Sequence, residues 1–247
     1  MVLIHDAETR TAHPMWSPQI KFALTQRDLD VEIVWPQRRG ARLHRLLTGS
    51  TLPPQDKVKL WDAANVHAMV SDTPRHHAVL DCGAYNSPVP LLLNTMGFTS
   101  IHSIDLNPHM TSMPSGSNIV SSCQNIVATS FADNTFDLVT CCSTIEHGVD
   151  WNAFLCEAAR LLRPRGRLYI STDLIPDSAP NNEGSAFRLP WWPLRPHQLT
   201  DHVELLTNHG FMAPDVPAVT LPDTLPVEFL GQPLAFVAFE TQLRDAR

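Results

Sequence analysis

From residue 76 onward the chain alternates between two apolar patterns, and this alternation constrains its fold more than any other feature. "AVLDCG", "SIHSIDLNP", "FDLVTCC" and "GRLYISTD" are runs of strand length, each closed by turn formers or a carboxylate. "SGSNIVSSCQNIV" adds a strand whose register the pattern leaves open, and "LAFVAFETQL" is the last strand of the chain. "PVPLLLNTMG" suits a helix stopped by Gly97. "WNAFLCEAARLLRPRG" puts Trp151, Phe154, Leu155, Ala158, Leu161 and Leu162 on one helical face before Pro164 and Gly166. "LTDHVELLTNHGF" gives a further amphipathic helix ended by Gly210. Strands that alternate with helices predict an α/β fold: an open, mostly parallel sheet with helices on both faces.

Residues 1–75 are less periodic. They hold two predicted helices, "QRRGARLHRLLTG" over 37–49 and "PQDKVKLWDAANVHAMV" over 54–70, the second with Val58, Trp61, Ala64 or Asn65, and Ala68 in helical period. This stretch reads as an N-terminal extension and a candidate cleft cover, and 76–247 as the main domain. Within that domain, residues 174–196 form an irregular insertion rich in Pro and Asn. Long irregular segments are usually functional or disordered. The adjacent Trp191 and Trp192 favour a lid or substrate wall.

A net charge of −7 and a pI near 5.9 argue against a general binder of phosphate backbones. Arg38, Arg39, Arg42 and Arg45 cluster locally and read as a solvated face. Five cysteines, with Cys141 and Cys142 adjacent in an apolar strand, suit buried thiols of a reducing compartment better than a disulfide framework. Adjacent strand residues point to opposite faces, so Cys141 and Cys142 with His147 and His102 make a poor metal site, and none is expected. With no basic leader and no run of membrane length, a cytoplasmic location without membrane contact is expected.

Open parallel sheets bind ligands beyond the carboxyl ends of their strands, where strand order reverses. Three such ends carry reactive side chains: Asp81 with Gly83, Asp105, and Ser143 to His147. A carboxylate after a second strand can accept both hydrogen bonds of a ribose diol, while a glycine loop lets the ligand approach the backbone. Each of these carboxylates alone is equally a cap or turn residue. Together, about twenty residues apart in consecutive βα units, they favour nucleoside binding. "GAYNS" lacks the GxGxxG spacing and no Gly-Lys-Ser or Gly-Lys-Thr follows, which points to a nucleoside without a pyrophosphate.

In order, "VLDCGAYNSPVP", "IHSIDLNP", "FADNTFDLVTCCSTIEH" and "EAARLLRPRGRLYISTD" resemble the successive motifs of the class I S-adenosylmethionine-dependent methyltransferases, over about residues 76–173. The resemblance implies a Rossmann-like, seven-stranded, mostly parallel sheet and S-adenosylmethionine as cofactor. By it, Asp81 and Gly83, with Ala84, Tyr85 and Ser87, form the loop around the methionine part. Asp105 holds the ribose hydroxyls and Leu106 lies beside adenine. Ser143 opens the "STIEH" segment that lines the cleft next to the donor sulfur, and Glu146 and His147 close it. Two departures stand out. Tyr85 and Ser87 occupy positions where the family usually has glycine, and the acidic residue that accepts from the adenine amino group after the third strand is missing. Asn125 or Ser122 is the candidate replacement.

The expected reaction is methyl transfer to an oxygen or nitrogen of a small molecule, such as a sugar, an aromatic compound or a natural-product intermediate. His147 is the candidate base, because its ordinary pKa lies near neutrality; its bland role is to order the loop. Glu146, Trp191, Trp192, Arg195 and His197 are candidate acceptor contacts. The expected partner is a small-molecule acceptor, with the protein a monomer or homodimer. A non-catalytic interaction domain on the same fold, or a methyltransferase acting on a peptide or nucleic acid, stays open as an alternative.

Overall fold

Val79, Leu80, Val139, Cys141, Leu168 and Ile170 are all buried, so the strands that carry them must be covered on both faces. The computed structural model describes residues 16–31, 54–112, 117–180 and 184–245. In it, β2 (Ala78–Cys82) pairs in parallel with β3 (Ser100–Asp105) on one side and β5 (Phe136–Cys142) on the other. β3 continues to β4 (Ile119–Cys123) and β5 to β6 (Leu162–Leu174), again in parallel. Beyond β6 the sheet turns antiparallel: β10 (Gln232–Gln242) runs against β6, and β1 (Gln19–Ala23) runs against β10. The order is β1-β10-β6-β5-β2-β3-β4, and β9 (Val227–Phe229), hung on β10, makes eight strands.

The mostly parallel Rossmann-like sheet agrees with the expectation, but the seven-stranded path closes differently. Its outer strand is β1, from a segment read as containing no strand. "QIKFA" spans only five residues and gains its partners from the far end of the chain. Gln19 Nε2 donates to Glu240 at 2.6 Å, and Lys21 forms an ion pair with the same fully buried carboxylate. No local pattern announces such a pairing.

Two helical layers cover the sheet. On one face, α2 (Pro54–Met69) and α3 (Val89–Thr95) press Val58, Trp61, Val66, Met69, Val89 and Leu93 onto Val79, Ile101, Leu138 and Tyr169. On the other, α4 (Trp151–Leu161) and α5 (Leu199–Asn208) press Phe154, Leu155, Ala158, Leu199 and Leu206 onto Leu80, Val139, Leu168 and Ile170. The α4 start is capped by Asp150, which accepts from the amides of Asn152 and Ala153. It stops at Leu161, and Leu162 is already extended, ahead of Pro164. The short α1 (Gln26–Leu29) follows β1. The buried stripe of α2 differs from the expected one: Asp62 and Val66 are buried while Ala68 is exposed. A carboxylate within the buried face masks the apolar period. The helix expected over 37–49 and its arginine cluster lie outside the described residues. Among the described residues no helix is long and apolar enough to cross a membrane.

β2 has β3 on one side and β5 on the other, so strand order reverses between β2 and β5. The crevice beyond their carboxyl ends is where this topology places a ligand.

Candidate active site

Two loops meet at that crevice. After β2, Gly83 takes a φ of +74°, and its amide and that of Ala84 donate to the Ile104 carbonyl at 2.8 and 3.0 Å. Tyr85 N–H then donates to Asp105 Oδ2 at 3.1 Å, so the first loop is tied to the end of β3. Ser87 Oγ accepts from the Val89 amide at the start of α3. After β5, the chain passes so close to Gly83 that a Cβ there would lie 2.1 Å from Thr144 Oγ1. Glycine is required at this position by sterics as well as by φ.

Asp81 is fully buried. Its Oδ1 accepts from Thr140 Oγ1 at 2.5 Å, and its Oδ2 has no hydrogen-bond partner. Burial pushes its pKa up to about 7, against the pull of the Thr140 hydroxyl and of Ser87, and with some help from the charges of Asp62 and Asp105. Asp105 is only half-buried; its two oxygens take the amides of Asn107 (2.8 Å) and Tyr85, and each retains a lone pair. Leu106, next to it, is exposed. Asn125, beyond β4, uses Oδ1 to accept from the Val127 amide at 3.1 Å, and Ser122 Oγ accepts from Gln124.

In the second loop Ser143 adopts a φ of +46°. Its amide donates to the Ser171 carbonyl and hydroxyl at 3.1 and 3.0 Å, and its hydroxyl donates to Asp62. His147 N–H closes a turn onto the Thr144 carbonyl at 3.0 Å. The His147 ring stands edge-on to Phe187 at 5.3 Å; its Nδ1 is buried and unpartnered, and burial lowers its pKa. Glu146 is buried and accepts from Thr172 Oγ1 at 3.2 Å. Burial raises its pKa well above the usual carboxyl range, and Asp173 pushes the same way.

Residues 80–170, from β2 through β6 and both loops, match the family model described as a methyltransferase domain. That segment carries a methyltransferase domain. Solved structures share the fold at low identity. A candidate sarcosine dimethylglycine methyltransferase from Galdieria sulphuraria matches with a TM-score of 0.55 and 17% identity, over 84% of this chain and 99% of that one. The 1,6-didemethyltoxoflavin-N1-methyltransferase of Burkholderia thailandensis, solved with 1,6-didemethyltoxoflavin and S-adenosylhomocysteine, matches at 0.53 and 18%, over 94% and 99%. The (4+2)-cyclase SpnF matches at 0.53 and 13%, over 75% and 82%. No curated protein matches the chain.

The 174–196 insertion divides its candidate residues. Trp191 is buried at 1% exposure; its Nε1 donates to Asp173 at 2.7 Å and its ring packs edge-on to Phe229 at 5.5 Å. It is an anchor of the core face and presents no surface to a substrate, which corrects the reading of both tryptophans as one wall. Trp192 is 56% exposed and its amide donates to the Glu146 carbonyl at 2.7 Å, so it stands beside the second loop. β7 (Ser185–Ala186) and β8 (Leu189–Pro190) form a small hairpin whose tip residues, Phe187 and Arg188, both have positive φ. Phe187 is 79% exposed, directly over His147. Arg195 donates to the carbonyls of Pro176, Asp177, Ala179 and Pro180, at 2.8–3.3 Å. His197 pairs with Asp177 at 2.5 Å on the surface. These two residues hold the 176–180 turn.

The residues missed in the sequence are Asp62, Thr140, Tyr169 and Asp173, all polar and all buried or nearly so. Only Asp62 carried a signal, as a carboxylate on the apolar side of an amphipathic helix. At the opposite, amino end of the strands a cavity of about 260 Å³ is bounded by Asp72, His77, Asp137, Arg165 and Arg167. It contains none of the candidate residues.

Proposed function

We propose that this methyltransferase uses S-adenosylmethionine to methylate an oxygen or nitrogen of a small molecule. One observation carries the cofactor reading: the buried, unpartnered Asp81 Oδ2 lies in the same crevice as Asp105, whose oxygens keep lone pairs available. An ammonium group would satisfy the first carboxylate and a ribose diol the second. The residues therefore fit a nucleoside carrying an amino acid. S-adenosylmethionine supplies an electrophilic methyl group on a sulfonium.

The chain supplies orientation and proton handling. The Gly83–Ser87 loop would surround the methionine part, and Asp105 would accept from the ribose hydroxyls. His147, largely neutral at pH 7 because burial lowers its pKa, takes the proton from the acceptor. Phe187 and Trp192 cover the acceptor with apolar surface and exclude water, so proximity provides most of the acceleration. The acidic net charge and the enzyme–small-molecule precedent among the neighbours support a small acceptor.

Calorimetric titration with S-adenosylmethionine and S-adenosylhomocysteine tests the donor half, and labelled-methyl transfer to a panel of phenols, amino sugars, nucleotide sugars and small amines tests the acceptor half. Binding of both nucleosides by folded protein is expected. Binding of neither ends the reading.

A further inference from the structure

Asp62 comes from α2, outside the matched domain, yet it reaches the second loop of the site. It is 1% exposed, and both carboxylate oxygens are engaged: Oδ1 accepts from Tyr169 O–H at 2.8 Å and Oδ2 from Ser143 O–H at 3.3 Å. Asn65, one turn further along α2, donates to the same tyrosine oxygen at 3.5 Å. Ser143 needs such support, because a non-glycine residue at φ +46° holds backbone strain. Everything reactive in the second loop follows it. Thr144 meets Gly83, the His147 amide turns back onto Thr144, and the His147 ring stands under Phe187.

We propose that Asp62 is a positioning residue, whose carboxylate holds Ser143 in its left-handed conformation and thereby sets the 143–147 loop, His147 included, against the cofactor loop. The role in catalysis rests on the function proposed above; the effect on the loop does not. Three features separate this from ordinary core packing. A buried carboxylate is costly unless hydrogen-bonded, and an apolar residue at this α2 position would serve packing better. The donors are neutral hydroxyls, so the charge stays on Asp62. Burial raises its pKa to about 6, with the Ser171, Tyr169 and Ser143 hydroxyls pulling down and the Asp173 charge pushing up. The titratable groups of the surrounding elements are Asp81 on β2, Cys142 on β5, Glu146 in the loop, and Tyr169 and Asp173 on β6. Protonation of Asp62 removes its charge and adds a competing O–H, so the anchor weakens as pH falls through about 6.

Amide hydrogen exchange on ligand-free protein at pH 7.5 reads the anchor without any reaction. In Asp62→Asn the amides of 143–147 are expected to exchange about tenfold faster, with α4 and α5 unchanged. With any panel acceptor that the parent methylates, Asp62→Asn is expected to lower kcat about tenfold to a hundredfold with KM changed little, and to remove the Asp62 share of the acid limb near pH 6, leaving the part that His147 sets. Tyr169→Phe removes a donor from the charged form, so it is expected to move that limb to higher pH. Parental exchange over 143–147 in Asp62→Asn overturns the proposal, as does an acid limb unmoved in both variants. If Asp62→Asn does not fold, Tyr169→Phe alone decides by the same two measurements. Failure to bind S-adenosylhomocysteine in the parent overturns the proposed function while leaving the exchange result to judge Asp62.

Discussion

Asp81 and Asp105 are both carboxylates at strand ends, one strand apart, yet their surroundings give them different chemistry. Asp105 is half-buried, and its two oxygens accept from two backbone amides. Asp105→Ala removes that acceptor and also frees the Tyr85 amide, loosening the first loop. Since a hydrogen bond to a charged group contributes about 1.5–3 kcal/mol, the dissociation constant of S-adenosylhomocysteine is expected to rise roughly tenfold or more; an unchanged constant assigns Asp105 to the turn alone. Asp81 is fully buried and titrates at about 7. Its isosteric variant Asp81→Asn should therefore weaken nucleoside binding at pH 8.5, where the parent is charged, and match the parent more closely at pH 6, where the parent is already mostly protonated. Titration calorimetry across that range reads the ratio; a ratio independent of pH means that the charge of Asp81 plays no part in binding. Both residues were legible in the sequence because each interrupts an apolar run at a strand end. Their difference was not, since Asp81 is buried against Thr140, which lies 59 positions further along the chain.

At the scale of elements, the 174–196 insertion shows what local pattern conveys and what it hides. An aromatic pair in a Pro-rich segment marked the insertion as important. The structure splits the pair, because successive residues of an extended chain point opposite ways: Trp191 inward to Asp173, Trp192 outward over the loop. Replacing Trp191 by Ala empties a large core site and strips Asp173 of its donor, so a loss of about 3–5 kcal/mol is expected, read as a lowered denaturation midpoint. Trp192→Ala should change stability by no more than about 0.5 kcal/mol and raise KM for a turned-over acceptor, with cofactor affinity unaltered. Equal destabilisation by the two variants contradicts the inward–outward assignment. The parallel strands β2, β3, β5 and β6 were readable for a related reason: each is a compact apolar run that is recognisable without its partner. β1 pairs with residues over two hundred positions away, and five residues of mixed polarity cannot signal that.

For the molecule as a whole, β1 and α2 are joined to the sheet by buried contacts: Lys21 and Gln19 satisfy Glu240, and Trp61, Val66 and Met69 cover Val79, Leu138 and Tyr169. The same face collects carboxyl groups out of water, and this makes stability depend on pH in a definite direction. Asp62 and Asp173 are raised to about 6 and Asp81 to about 7, each mainly by burial. In the unfolded chain they titrate near 4. Between those values the folded protein keeps protons that the unfolded chain has released, so their contribution is full at low pH and is lost as pH rises through 6 to 7. His147, His102 and His202 act in the other sense, since burial lowers their pKa and the folded state resists their charging. That opposition is confined to pH values near and below 6.5. Glu157, held at about 2 chiefly by its Arg160 hydrogen bonds, loses its contribution only as pH falls below about 4. Above pH 6.5 the Asp81 contribution is therefore nearly unopposed. The melting temperature of the ligand-free protein is expected to fall from pH 6.5 to 8; Asp81→Asn, with no group to ionise there, should make that decline shallower, and the buried Glu146, raised in the same sense, keeps its own share. Scanning calorimetry at matched ionic strength makes the comparison. A parental melting temperature that climbs over this interval, or a decline of the same slope in Asp81→Asn, would show that Asp81 is not the buried acid that governs the stability of the crevice.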